Sequence, residues 1–364
     1  MKVRDIILSI EELAPLSYQE SYDNAGLIVG EYNQEVSGIL ICLDVIESVV
    51  EEAIQKGANL IIAHHPIVFK GLKRFNGSNY VERTVMMAIK NNIAIYAAHT
   101  NIDSVRGGVS EKICDLIGLQ NKKILSPISE DLKKLVTFVP KDHAEQVREA
   151  LFNAGAGSIG NYDSCSFTTC GKGSFKGGEE TNPYVGEKGK LHFEEEVRIE
   201  TVFPKHLKGK VLGAMLNAHP YEEVAYDIYS LDNKNPEVGL GMIGELESAE
   251  STIDFLKRIK EIFGCGCIRH TNITNEKIKK VAVCGGSGSF LLTKAISAKA
   301  DIFVTGDFKY HEFFDAEGKL IIADIGHHES EQFTRDIFYE IVTKKLPNFA
   351  VHISEINSNP INYL

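Results

Sequence analysis

The sequence predicts an α/β fold with mostly parallel sheets, carrying a smaller α+β domain inserted in its middle. Three observations carry that reading. Branched apolar runs alternate with amphipathic helices toward both ends of the chain, a gapless internal repeat lies between them, and 364 residues exceed what one core ordinarily organises.

The elements can be justified in order. MKVRDIILSIEELAP spaces Val3, Ile6, Ile7, Ile10, Leu13 and Ala14 at helical intervals between charges, which predicts an amphipathic helix packed on a core and not a secretion signal. SYDNAGLIVG puts Asp23, Asn24 and Gly26 in a turn before a strand, where Asx-turn chemistry accounts for the polar residues. SGILICLDV, NLIIA and IAIYAA read as strands. ESVVEEAIQKGA, SNYVERTVMMAIKNN and GGVSEKICDLIGL read as the helices after them. Near-continuous branched strands separated by helices indicate a parallel sheet covered on both faces. Further on, KKVAVCG, DIFVTG, LIIADIG and NFAVHISE are expected strands, and FLLTKAISAKA and SEQFTRDIFYEIVTKKL expected helices. The two ends therefore read as two α/β halves of one domain, 1–125 and 236–364.

The segment between, 126–235, reads differently. TFVPKDHAEQVREALFNAG (137–155) aligns on TVFPKHLKGKVLGAMLNAH (201–219) at an offset of 64, and Thr137, Pro140, Lys141, Val147, Ala150, Asn153 and Ala154 recur as Thr201, Pro204, Lys205, Val211, Ala214, Asn217 and Ala218. Each copy reads strand, turn, helix, strand, which predicts a ferredoxin-like α+β insert. The glycine- and charge-rich stretch 170–190 is expected to be a long mobile loop.

Composition sets limits on function. A net charge of −11 without a basic stretch argues against general nucleic-acid binding, and no apolar run approaches a membrane span. The seven cysteines, Cys42, Cys114, Cys165, Cys170, Cys265, Cys267 and Cys284, are odd in number and mostly lie in strand or helix patterns. They fit reduced thiols in a cytoplasm. Cys265-Gly-Cys267 is too tightly spaced for the usual zinc knuckle.

The chemistry concentrates at strand ends. The run NLIIAHHPIVF finishes in His64, His65 and Pro66, and IAIYAAHTNID finishes in His99 with Asp103 just beyond. In LIIADIGHHESEQF, His327 and Glu331 stand four apart at a helix entry, on one helical face. Ligands in open parallel sheets sit at the carboxyl ends of strands. Imidazoles with carboxylates suit zinc, iron, manganese, cobalt or nickel, and two carboxylates suffice to bridge a pair of ions. Taken singly, each element has a plain structural explanation: a solvated histidine pair, a capped turn, a surface helix pair. Their joint placement favours metal. GGSG at 285–288 could cradle an anion or form a plain tight turn, and Asp307, Lys309, Tyr310 and His311 could line the same crevice. His219 belongs to the insert.

At SYDNAGLIVG, IIAHHPIVF, AAHTNID, VAVCGGSGS, VTGD and DIGHHESE, in this order, the chain resembles the NIF-three-like family, also described as type-two GTP cyclohydrolase I homologues. The resemblance spans the two end segments, and the insert resembles the PII- or CutA-like module of longer bacterial members. Tyr22 departs from it, standing where members often have tryptophan. The resemblance implies a cytoplasmic toroidal homohexamer with two divalent metal ions per chain, held by His64, His65, Asp103, His327 and Glu331. The expected division is His65 and Asp103 on one ion, His64 and His327 on the other, and Glu331 bridging. His99, not needed as a ligand, could be a general acid or base. The leading reading is a metal-dependent hydrolase acting on a nucleotide-like or other small substrate. The alternatives are a non-catalytic metal-binding regulatory or metal-handling hexamer with a PII-like sensor or lid, and a ring in which the histidines only stabilise subunits.

Overall fold

Short, unbroken apolar strands build the two sheets of the larger unit. The chain, described over Met1–Leu364 in a computed structural model, divides into two units. One comprises Met1–Pro127 with Glu237–Leu364 and the other Ile128–Pro236. The first segment supplies β1 (Gly26–Val29), β2 (Ile39–Cys42), β3 (Leu60–Ala63), β4 (Ala94–Ala97) and β5 (Gln120–Ile128). Then come β6 (Leu132–Pro140), β7 (Ser166–Lys176), β8 (Leu191–Pro204) and β9 (Tyr226–Ser230). The chain continues through β10 (Asn235–Ser251), β11 (Arg269–His270), β12 (Lys277–Ser287), β13 (Ile302–Gly306), β14 (Ile321–Asp324) and β15 (Val351–Ile353).

The first sheet has the order β1-β4-β3-β2-β15, parallel except for β1. The second has the order β11-β14-β13-β12-β10-β5, with β12, β13 and β14 parallel and β10 and β11 antiparallel to their neighbours. Strand alternation sends Ile39, Ile41, Leu60 and Ile62 of one sheet, and Val281, Val283, Ile302 and Val304 of the other, into one core. The opposite faces, including Leu40 and Ile61 or Ala282 and Phe303, pack into separate clusters. The mostly parallel α/β architecture is therefore present, but the halves are not self-contained. The last strand, β15, completes the first sheet, and β5 joins the second.

Other details depart from expectation. The 17-residue β10 and the edge strand β5 were not foreseen. The single helix expected over 330–346 is two, His327–Glu331 and Thr334–Lys345. No helix is long and apolar enough to cross a membrane.

The smaller unit runs β-α-β-β-α-β, with helices Ala144–Asn153 and Lys208–Ala218 and an antiparallel sheet of order β7-β8-β6-β9. Repeated positions serve one purpose in both copies: Val147 and Val211 are each fully buried in its core. The glycine-rich stretch is not all loop. Residues from Cys170 to Lys176 pair with those from Val197 back to Leu191, leaving 177–190 as the connection. Within it the Asn182 amide donates to Glu222 at 2.6 Å, and the Tyr184 hydroxyl lies 2.9 Å from His143 Nε2.

Candidate metal centre

The register of the first sheet aligns its strand ends. Ala63 pairs with Ala97, so His64 and His65 leave β3 where His99 leaves β4. Past β3 the amides of both His64 and His65 donate to the Leu43 carbonyl, at 3.1 and 3.0 Å, and the regular ladder ends. The two imidazoles then diverge, with centroids 4.8 Å apart and planes at 49°. His64 is wholly buried, with Nδ1 2.9 Å from the Ala98 carbonyl. A carbonyl only accepts, so Nδ1 holds the proton and Nε2 presents its lone pair. His65 directs Nδ1 to Asp44 at 2.7 Å.

In the second sheet β13 and β14 also end level, Thr305 pairing with Asp324. Beyond them the one-turn helix His327–Glu331 sets His327 and Glu331 on one face. Ser330 docks that helix on β12, its hydroxyl accepting from the Gly286 amide at 2.9 Å. Gly286 makes room for this contact, and its amide is taken up by Ser330. A Cβ on Gly286 would collide with Glu331 Oε1, and the residue's φ of +58° favours glycine in any case.

Glu331 Oε2 is the meeting point. It lies 2.9 Å from Nε2 of His65 and of His327, and 3.6 Å from Nε2 of His64. Asp103 Oδ1 stands 3.7 Å from His64 Nε2. Possible ligand atoms fall into three sets, His65–His327–Glu331, His64–Asp103–Glu331 and His64–His65–His99. The first two group the side chains differently from the expected division. His65 groups with His327 and His64 with Asp103, while Glu331 is common to both sets. The sheets explain why, since His65 faces the Glu331 helix and His64 faces the turn holding Asp103.

The residues fit divalent ions. His64 Nε2 and Asp103 Oδ1 are buried and lack any hydrogen-bond partner. Buried polar atoms are rarely left so, and a shared cation would satisfy both. The outer partners fit as well. His65, His327 and His99 each set Nδ1 2.7 Å from a carboxylate, of Asp44, Asp307 and Asp23 respectively. Carboxylates behind imidazoles orient a metal-binding Nε2 and raise its basicity.

Electrostatics follow from that crowding. Burial alone would lower His65, but hydrogen bonds to Asp44 and Glu331 push it up to about 10. Against the same effect of burial, the charge of Glu331 and the hydrogen bond to Asp307 raise His327 to about 11. Burial, then the charge of Glu331, raises Asp103 to about 8. Burial opposes ionisation of Glu331 too, yet the His64 and His327 imidazoles hold its carboxyl well below the usual range. Asp23 falls to about 2, because hydrogen bonds from His99 and Thr100 outweigh its burial.

The structure thus brings together every expected ligand, His64, His65, Asp103, His327 and Glu331, with His99 beside them. It adds Asp44 and gives Asp307 a specific role. It also corrects Asp23, whose carboxylate serves His99 and Thr100 as well as its local turn. Cys265 and Cys267 are free thiols outside any metal-ligating group. His328, beside His327, likewise belongs to none of the sets.

A sequence-family model, Duf34/NIF3 (NGG1p interacting factor 3), matches residues 1–360. A Halalkalibacterium halodurans protein called GTP cyclohydrolase 1 type 2 homolog is 40% identical over 365 residues, covering 99% of this chain and 98% of the relative. The Bacillus subtilis protein of the same name is 39% identical over 371 residues, covering 99% and 98%. Among solved structures, a Bacillus cereus protein related to NIF3 superposes with a TM-score of 0.87 at 42% identity, covering 100% of this chain and 99% of that one.

Proposed function

The chain belongs to the Duf34/NIF3 family, and we propose that its centre binds two divalent transition-metal ions and hydrolyses a nucleotide-like or other small substrate. The observation that carries this is the single Glu331 oxygen set among three imidazoles, beside the orphaned atoms of His64 and Asp103. When bound, such a pair of ions supplies Lewis acidity and makes a water molecule a nucleophile near neutral pH.

The chain's own residues do the rest. Glu331 and Asp103 offset positive charge, and Asp44 and Asp307 fix the tautomers of His65 and His327. Asp23 holds the proton on His99 Nδ1, which leaves Nε2 to exchange a proton with substrate or leaving group. His99 has its ring centroid 5.4 Å from those of both His64 and His65, close enough to serve the same reacting group. We read the smaller unit as a ferredoxin-like, PII- or CutA-like insert on its β-α-β-β-α-β order, and the whole as a cytoplasmic homohexamer.

The test is elemental analysis of tag-free protein purified without chelator, followed by a hydrolysis screen beginning with GTP. About two equivalents of metal per chain are expected. Turnover should vanish in Glu331→Ala while folding and assembly persist, and should fall about 10²–10⁴-fold in His99→Asn with metal retained. Metal without turnover on nucleotides or phosphoesters would replace the hydrolase with a metal-handling protein. Failure to hold metal after reloading would remove both readings.

A further inference from the structure

The smaller unit contains a cavity of about 380 Å³ that no ligand of the metal centre lines. Its wall includes Phe175, Tyr184 and Tyr221. Tyr221 is the middle ring, with centroids 6.1 Å from Phe175 and 6.3 Å from Tyr184 and planes tilted at 59° and 48°. Rings tilted in this way do not cover one another's faces by stacking. The Tyr221 hydroxyl donates to Glu196 at 3.0 Å. A phenol bonded to a carboxylate has a more electron-rich ring, which strengthens its attraction for a cation.

The charges lining the cavity point the same way. Glu196, Glu222 and Glu223 oppose one ammonium, Lys176. An anion would meet that excess of carboxylate, and a neutral apolar ligand would desolvate it without compensation. A metal ion is disfavoured because no metal-ligating trio forms here. The glycine-rich sequence provides the space and the cover. At Gly173 a side chain would collide with Glu196, its Cβ only 2.7 Å from the carboxyl carbon. The segment carrying Tyr184 is tied down through the bond from the Asn182 amide to Glu222.

We propose that this cavity binds a small organic cation, a quaternary ammonium or alkylamine compound, between the faces of Phe175, Tyr184 and Tyr221 and the carboxylates of Glu196 and Glu222. The site is independent of the metal centre and of any hydrolysis there.

Titration calorimetry on the full-length protein would test this with tetramethylammonium, choline and spermidine. The control is 3,3-dimethyl-1-butanol, the uncharged carbon isostere of choline. Saturable binding of at least one cation is expected, with the isostere weaker than choline by about tenfold where choline is the cation bound. Tyr184→Ala, at an exposed position, and Glu222→Gln should each weaken the bound cation several-fold while metal content is unchanged. Equal affinity for choline and its isostere, no saturable binding of any of the three cations, or binding indifferent to both substitutions would overturn the proposal.

Discussion

His64 Nε2 faces Asp103 Oδ1 across 3.7 Å, and both atoms are buried without a hydrogen-bond partner. Two acceptors held so close repel unless a proton or a cation lies between them. The pair is therefore arranged for occupancy. His64→Ala should remove one of the two ions and leave the His65–His327–Glu331 set able to hold the other. Elemental analysis should fall from about two equivalents to about one with an unchanged circular dichroism spectrum, and full occupancy would refute the assignment.

Asp44 touches no ligand position except through His65, to which it stands at 2.7 Å. Asp44→Asn keeps the shape but removes the charge that sustains a basic Nε2. Competition with a chromophoric chelator should show metal affinity about 10–100-fold weaker, the usual effect of losing an outer carboxylate. An unchanged affinity would mean that Asp44 only braces the Ser358 segment, whose hydroxyl it also accepts at 2.5 Å.

Gly286→Ala would disturb the centre without altering any ligand. The new methyl would meet Glu331 Oε1, and a side chain in left-handed backbone costs about 1–2 kcal/mol. Thermal unfolding should shift downward, and metal binding should weaken because Glu331 is pushed off its position. Loss of stability with undiminished metal affinity would show that Glu331 has room to move.

Loading with metal should release protons. In the metal-free chain His65 and His327 are raised to about 10 and 11, so both hold protons at neutral pH. A metal must displace them, so affinity rises with pH through neutrality and declines in acid. Calorimetry in two buffers of different ionisation enthalpy should report net proton release at pH 7. Equal heats would contradict the charge pattern.

The clustering of the candidate ligands was legible because each lies at or shortly beyond the end of a branched apolar run, and a run that ends in a polar residue marks the edge of a parallel sheet. Their outer partners were not. Asp44 and Asp23 lie 21 and 76 residues from the histidines they orient, and a short carboxylate beside a turn looks the same whether it caps a turn or steers an imidazole. The repeat was legible since equal offsets put Val147 and Val211 in equivalent core positions. Edge strands were the weakest signal. β5, QNKKILSPI, is half charged or polar, and β10 opens on Asn235-Pro236 and carries glycines, which read as loop residues. The grouping of these side chains depends on which side of the broken β3 end each imidazole takes, and spacing does not encode that.

The exchange of edge strands bears on how the protein comes into being. A nascent chain that has emerged through the short helix Thr100–Asp103, just past β4, already displays His64, His65 and Asp103, but its first sheet still presents β2 as an open edge awaiting β15. Glu331, common to both ligand sets, leaves the ribosome more than two hundred residues after Asp103. Pairings this distant close late and slowly. Loading of the proposed centre would accordingly wait until translation has carried Glu331 out of the ribosome, and prematurely terminated chains would be left with an unsealed sheet and weak metal retention.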